Sequence, residues 1–458
     1  MDYKNLIITP LIIMPLLLTG CSSTNDTADT NDTTEATDTT EAIETNSVWI
    51  INTTDETSEN LFESGTSQGS LVNVQSVDTE TVDEVEYTVV SATGIANYKV
   101  TLTQEQIDAL NARPKAATDF LSGVTTAEAG ISFEFGEDIG YNSNNNCTTT
   151  GGEGYWPPGP VCPENLSRTG YFPNAPIPAT DVVLSGLGAV GYWVNGTSVY
   201  QWGDGQSYNN AGVWQTLAPV AEVYDVDVCG GHAANGDYHH HFNSKCLAEL
   251  VGDLGDSHSP VYGYAADGYA IYGPWNNNGE LVKSSWAVRD YDDASSITGC
   301  GEAGVRNCRL VDEYDVDAGT EVAADGPLTS DTYISLSGNT FTASAGFFYE
   351  DFYWNSNLTN LGGVYLDQYN GHTDETLGYH YHVTITVDDR GVQTPSFPYT
   401  IGPRFYGQLQ DNSIITSVGT PLGDSPPVEG DLPECGPDDA PEEGEAPPDY
   451  CVPPARQG

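Results

Sequence analysis

Gly263-Tyr264-Ala265-Ala266-Asp267-Gly268-Tyr269-Ala270-Ile271-Tyr272 is a short hydrophobic run, an Asp-Gly pair and a second short run, with an upstream echo in Gly191-Tyr192-Trp193-Val194-Asn195-Gly196-Thr197-Ser198-Val199-Tyr200. Each reads as strand, tight turn, strand, because Asn-Gly and Asp-Gly tolerate the positive φ of a two-residue hairpin turn. The likeness marks either pseudo-equivalent halves or two uses of one turn chemistry. Working outward, Ile131–Phe135, Thr332–Leu336 and His382–Val387 are further short runs of β-branched and aromatic residues, and the 27 tyrosines and 49 glycines suit strands broken by turns. The expected class is mainly β, with antiparallel, sandwich-like sheets, disulfide staples, one or few short helices and disordered ends. One helix is legible, from Thr103-Gln104-Glu105-Gln106 to about Arg113-Pro114.

All eight histidines lie between His232 and His382, and four form two H-x-H pairs, in Tyr238-His239-His240-His241 and Tyr379-His380-Tyr381-His382. Alternate residues of a strand share a face, so each pair aims two imidazoles at one point while His240 faces the other way, toward packing or an outer shell. The candidate metal ligands are His232, His239, His241, His258, His380 and His382, with Asp267, Asp367 and Tyr238 as outer partners. His258, just past the first group, is placed with it on sequence proximity. The lone His372, in Asn370-Gly371-His372-Thr373, reads as a surface residue. A competing arrangement has the paired rings bracing tyrosines and backbone carbonyls in a hydrogen-bonded ladder. Whether the two pairs converge is open; if they do, six imidazoles exceed the needs of one zinc and imply a binuclear site or a division of roles.

The remaining ligand types narrow the chemistry. Met1 and Met14 are the only methionines and belong to a leader, and nine cysteines leave eight once Cys21 is set aside. Neighbour spacing suggests Cys147 with Cys162, Cys229 with Cys246, Cys300 with Cys308 and Cys435 with Cys451, one of about 105 connectivities. With no free thiolate and no thioether, imidazole, carboxylate, tyrosine or water must hold any metal. That set suits Zn(II), Cu(II) or Fe(II), with zinc or copper the expectation, and argues against Cu(I).

Residues 1–20 read as a lipoprotein signal peptide: Lys4, an apolar run from Leu6 to Leu18 interrupted by Pro10 and Pro15, then Leu18-Thr19-Gly20-Cys21, with Cys21 the residue to be lipidated. Ser22 after the cysteine favours the outer membrane. Residues 21–47 form an acidic, Thr-rich tether, 48–150 an N-terminal β-rich region, 151–410 the main domain with its core at 186–406, and 411–458 a Pro-rich acidic tail. The net charge of −53, from 66 acidic and 13 basic residues, excludes nucleic acid as a partner.

The stretch Cys229-Gly230-Gly231-His232, Gly236-Asp237-Tyr238-His239-His240-His241, Cys246-Leu247, His258-Ser259-Pro260 and Gly263 to Pro274 resembles the YHYH-domain family of secreted bacterial proteins. Tyr369-Asn370-Gly371-His372, Gly378 to Thr384 and Phe397-Pro398-Tyr399 extend the likeness to about Tyr406. The resemblance implies export and a shared β-rich fold, and no activity. This chain departs from the pattern where His240 replaces the second tyrosine of the first motif.

Three functions fit: a lipid-anchored module that binds a divalent transition metal; a metal-dependent hydrolase or oxidase with an open coordination position; and a surface binding or adhesion module whose aromatics stack on sugars while acidic loops hold calcium. Gly255-Asp256-Ser257 lacks the glycine pattern of a nucleophile elbow, and there is no P-loop, dinucleotide fingerprint or H-E-x-x-H helix.

Overall fold

A computed structural model describes residues 48–63, 65–142, 162–336, 338–388 and 391–414. The leader, Cys21, the tether, the tail from residue 415, and Cys147, Cys435 and Cys451 lie outside these residues. The strands that position the site are β1 (Val74–Val82), β2 (Val85–Ala92), β3 (Arg168–Pro173), β4 (Ala189–Trp193), β5 (Ser198–Tyr200), β6 (His232–Ala234), β7 (Asp237–His240), β8 (Val261–Ala265), β9 (Ala270–Tyr272), β10 (Gly371–Asp374) and β11 (Gly378–His382). The last eight form one sheet in the order β6-β7-β5-β4-β8-β9-β11-β10, and β1-β2-β3 form a second, antiparallel one.

The eight-stranded sheet is two copies of one arrangement. In the first, hairpin β4-β5 lies parallel to β7 through His239 opposite Ser198, and β7 folds back on β6 through His232 opposite His239. In the second, hairpin β8-β9 lies parallel to β11 through Tyr272 opposite His382, and β11 folds back on β10 through His372 opposite His380. The copies meet at the antiparallel pair β4-β8, centred on Tyr192 opposite Tyr264, the same position of each hairpin. Such a pair has local twofold symmetry perpendicular to the sheet, which exchanges the halves and preserves the faces. The two hairpins are thus pseudo-equivalent halves. Gly191 and Gly263 permit the central contact, since a β-carbon on either would collide with the carbonyl oxygen of Tyr264 or Tyr192.

The hairpin turns differ from the two-residue expectation. Trp193 N–H donates to Thr197 O and Gly196 N–H to Trp193 O, and Ala265 and Gly268 repeat the pattern with Tyr269 O and Ala265 O. Each loop therefore holds three residues with only its glycine at positive φ, Gly196 at 82° and Gly268 at 91°. The run His382–Val387 is also split: His382 ends β11, and Ile385–Val387 pairs with Gln393–Pro395.

Phe172 of β3 packs edge-on to Tyr192 at 5.6 Å, and Trp49 stacks on Tyr264 at 5.4 Å, joining the two sheets at the centre of the eight-stranded one. A helix at Gln104–Asn111 starts where expected, because Thr103 accepts from Gln106 N–H while the Gln106 side chain accepts from Thr103 N–H. It buries Ile107 and Leu110. The long excursions after β5 and β9 share aromatic cores of their own, in which Trp202 stacks on Tyr349 at 4.5 Å. There Arg306 is fully buried against both oxygens of Asp351 at 2.8 Å. Disulfides join Cys229 to Cys246 and Cys300 to Cys308, as the spacing suggests. Among the described residues no helix is long and apolar enough to cross a membrane.

Candidate metal centres

Seven of the eight histidines gather into two clusters, His232 with His239 and His241, and His258 with His372, His380 and His382, and in each cluster one ring nitrogen per histidine, of the kind that could hold a metal ion, lies within 4.8 Å of the others. The pseudo-twofold axis puts both clusters on the same face. The H-x-H strands β7 and β11 are second and seventh in the sheet, so the clusters stand about 24 Å apart at ~4.8 Å per strand. The pairs do not converge, and each builds its own site.

Two histidines lie elsewhere than their sequence neighbours suggest. His258 joins the second cluster, its ring centroid 5.3 Å from His380 and 5.2 Å from His382. It immediately precedes β8, whose hairpin partner β9 pairs with β11, so strand order overrides its nearness in sequence to the first group. His372 is no surface bystander: it sits directly opposite His380, its Nε2 3.0 Å from His380 Nε2 and 3.2 Å from His382 Nε2. Its signal was the shared spacing Asp-x-x-x-Gly-His of Asp227–His232 and Asp367–His372, which makes it the counterpart of His232.

The orientation of the rings is fixed by the backbone. His239 Nδ1–H donates to Asp237 O at 2.8 Å and His241 Nδ1–H to Gln201 O at 2.6 Å. In the second cluster His380 donates to Gly378 O at 3.0 Å, His382 to Gly273 O, and His258 to Ser259 O at 2.8 Å. A carbonyl oxygen only accepts, so in each of these rings Nδ1 carries the proton and Nε2 is left with a lone pair. His239 Nε2 and His241 Nε2 then face each other at 3.2 Å with no proton between them.

A proton does not resolve that repulsion. Burial, reinforced by the neighbouring imidazoles, lowers His241 to about 3 and His380 to about 4, and drives His239 and His382 well below the ordinary range. Burial lowers His232 and His372 in the same direction.

A carboxylate that sequence reasoning missed faces the first cluster. Glu222 Oε2 lies 3.4 Å from His232 Nε2 and 3.3 Å from His241 Nε2. Burial pushes Glu222 up to about 7, the Asp204 side chain hydrogen-bonded to it pulls it back, and Asp225 pushes it further up. Nothing local in the sequence marks Glu222, which arrives on the excursion after β5.

The proposed outer partners lie behind the rings. Tyr238 Oη–H donates to Asp227 Oδ2 at 2.8 Å, while Asp227 Oδ1 accepts from the N–H groups of Cys229 and Gly231. The second half repeats this: Tyr379 Oη–H donates to Asp367 Oδ1, which also accepts from Tyr369 and Gly371 N–H. These carboxylates tie down the turns that deliver His232 and His372. Gly231 and Gly371 are required there, since a β-carbon on either would come within 2.5 Å of the Tyr238 or Tyr379 hydroxyl. Asp267 takes the Tyr381 hydroxyl at 2.6 Å and Gly407 N–H at 2.8 Å. His240 occupies the place of Tyr381, and Asn195 that of Asp267. The His240 ring lies edge-on to Tyr98 and Trp193, away from the cluster, as its register requires.

This is a twofold-repeated β-sheet protein with a histidine cluster in each half. Residues 169–312 match the YHYH protein family model, so the chain carries a YHYH-family region. The matched span contains the first cluster and His258, while His372, His380 and His382 follow it. No curated protein and no solved structure matches the chain.

Proposed function

We propose that the protein binds divalent transition metal, Zn(II) or Cu(II), at two separate sites, as a lipid-anchored component of the cell envelope. The observation that carries this reading is the confrontation of His239 Nε2 and His241 Nε2, both committed as acceptors, at 3.2 Å. Leaving buried acceptors unpaired costs on the order of 1–3 kcal/mol each. A shared cation removes that cost. An ion with tetrahedral ligands at about 2.0–2.1 Å separates its donor atoms by about 3.4 Å, close to the 3.0–3.2 Å between ring nitrogens in both clusters.

The cysteines at hand are in disulfides, which leaves nitrogen and oxygen donors and favours borderline divalent ions over Cu(I). Export and anchoring through Cys21, with the outer membrane as destination, rest on the leader sequence and agree with the disulfides, which persist in oxidising compartments. Elemental analysis of purified protein incubated with zinc or copper and then desalted tests the reading. Two equivalents should remain in the parent and one in each of His239→Ala/His241→Ala and His380→Ala/His382→Ala. A parent that retains no metal would sink the proposal.

A further inference from the structure

The two clusters are related by symmetry in their imidazoles and not in what completes them. His372 answers to His232, His380 to His239 and His382 to His241. The fourth imidazole of the second cluster comes from His258, in the segment leading into β8. In the first cluster the extra group is Glu222, delivered by the excursion that follows β5. Its Oε2 stands 3.3–3.4 Å from two ring nitrogens, the separation of about 3.4 Å expected between donors on one tetrahedral ion. That oxygen has no hydrogen-bond partner. The Glu222 side chain is 22% exposed, against 3% and 6% for His232 and His241, while its Oε2 is itself buried against the two rings.

We infer, resting on the metal-binding reading, that Glu222 is the fourth ligand of the first site. The chain then carries a three-imidazole, one-carboxylate centre whose oxygen ligand gives way to an incoming small anion, and an all-imidazole centre that is coordinatively closed. Ligand exchange belongs to the first site. A carboxylate bound through one oxygen, on a side chain that is 22% exposed, is the donor most easily displaced, whereas His380 and His382 are each locked by a backbone carbonyl. Ligands that bind through oxygen or as small anions are thereby assigned to the Glu222 centre.

Electron paramagnetic resonance of the copper(II)-loaded full-length chain tests this. In the His380→Ala/His382→Ala background, which isolates the first site, Glu222→Gln and Glu222→Ala should shift the copper signal and weaken copper binding roughly tenfold. In the His239→Ala/His241→Ala background the same substitutions should change nothing. Azide should perturb the first-site signal and leave the second-site signal unmoved. Copper bound with a signal indifferent to both Glu222 substitutions, or an equal azide response at the two sites, overturns this inference alone. Failure of either background to take up copper overturns the underlying metal reading instead. Glu222→Gln keeps the side chain's shape, so a shift shared by both variants cannot be ascribed to misfolding.

Discussion

His372 stands opposite His380 across β10 and β11 with their Nε2 atoms 3.0 Å apart, as His232 stands opposite His239 in the other half of the sheet. A histidine that looks incidental in its loop is therefore one of four converging imidazoles. His372→Ala should weaken metal binding at the second site by about a hundredfold and leave the first site unchanged. Its effect on folding should stay within about 1 kcal/mol, since the side chain is only partly buried. Isothermal titration of zinc into the single variant measures this, and undiminished affinity at both sites would return His372 to the surface.

The carboxylates that pin the turns should act on one site each. Asp227 holds Cys229 N–H, Gly231 N–H and the Tyr238 hydroxyl, and Asp367 holds the matching groups of the second half. Replacing Asp227 by Ala leaves three donors without their acceptor, at a cost of roughly 2–4 kcal/mol. Urea unfolding should show that loss, and metal titration should show the first site weakened with the second intact. Asp367→Ala should give the reverse pattern. Equal damage to both sites from either variant would refute the independence of the halves.

The disulfide from Cys229 to Cys246 encloses the turn, β6 and β7, with a sequence separation of 17. Closing a loop of that length restricts the unfolded chain by about 3 kcal/mol. Cys229→Ala/Cys246→Ala should lose stability of that order and weaken the first site only. Protein that retains both the parent urea midpoint and full first-site affinity would contradict this.

Acid should destabilise the metal-free protein partly through His240. Burial lowers this imidazole to about 3, so the unfolded chain, with an ordinary value of 6.5, takes up the proton first. The stability tied to a neutral His240 is present above pH 6.5 and is lost as pH falls through 6.5 toward about 3. Asp227, Asp267 and Asp367, raised to about 6 by burial, oppose this by protonating first in the folded state. A comparison of parent with His240→Phe isolates the imidazole. Between pH 7 and pH 5 the variant should lose about 2 kcal/mol less than the parent. Parallel stability curves across that range would show that His240 does not titrate as its burial requires.

Much of the sheet was legible because its causes are local. The Asn-Gly and Asp-Gly echoes mark β4-β5 and β8-β9, and Thr103 with Gln106 marks the helix start. Even the face of His240 followed from the period of two along a strand. Partners that come from afar leave no such local mark. Nearness in sequence places His258 with the first group, whereas β8 belongs, through β9, beside β11. Glu222 carries no pattern of its own, and only the packing of its excursion brings it to His232 and His241.

Residue pattern alone marks the strands of the two hairpins and the pairing of imidazoles at i and i+2, because backbone sterics and side-chain alternation act over a few residues. Strand order in three dimensions sets the two pairs apart toward opposite ends of one sheet, brings His372 and His258 into the second cluster and turns a glutamate toward the first. Those outcomes depend on the order in which distant strands pair, and hydrogen bonds between backbones carry no record of separation along the chain.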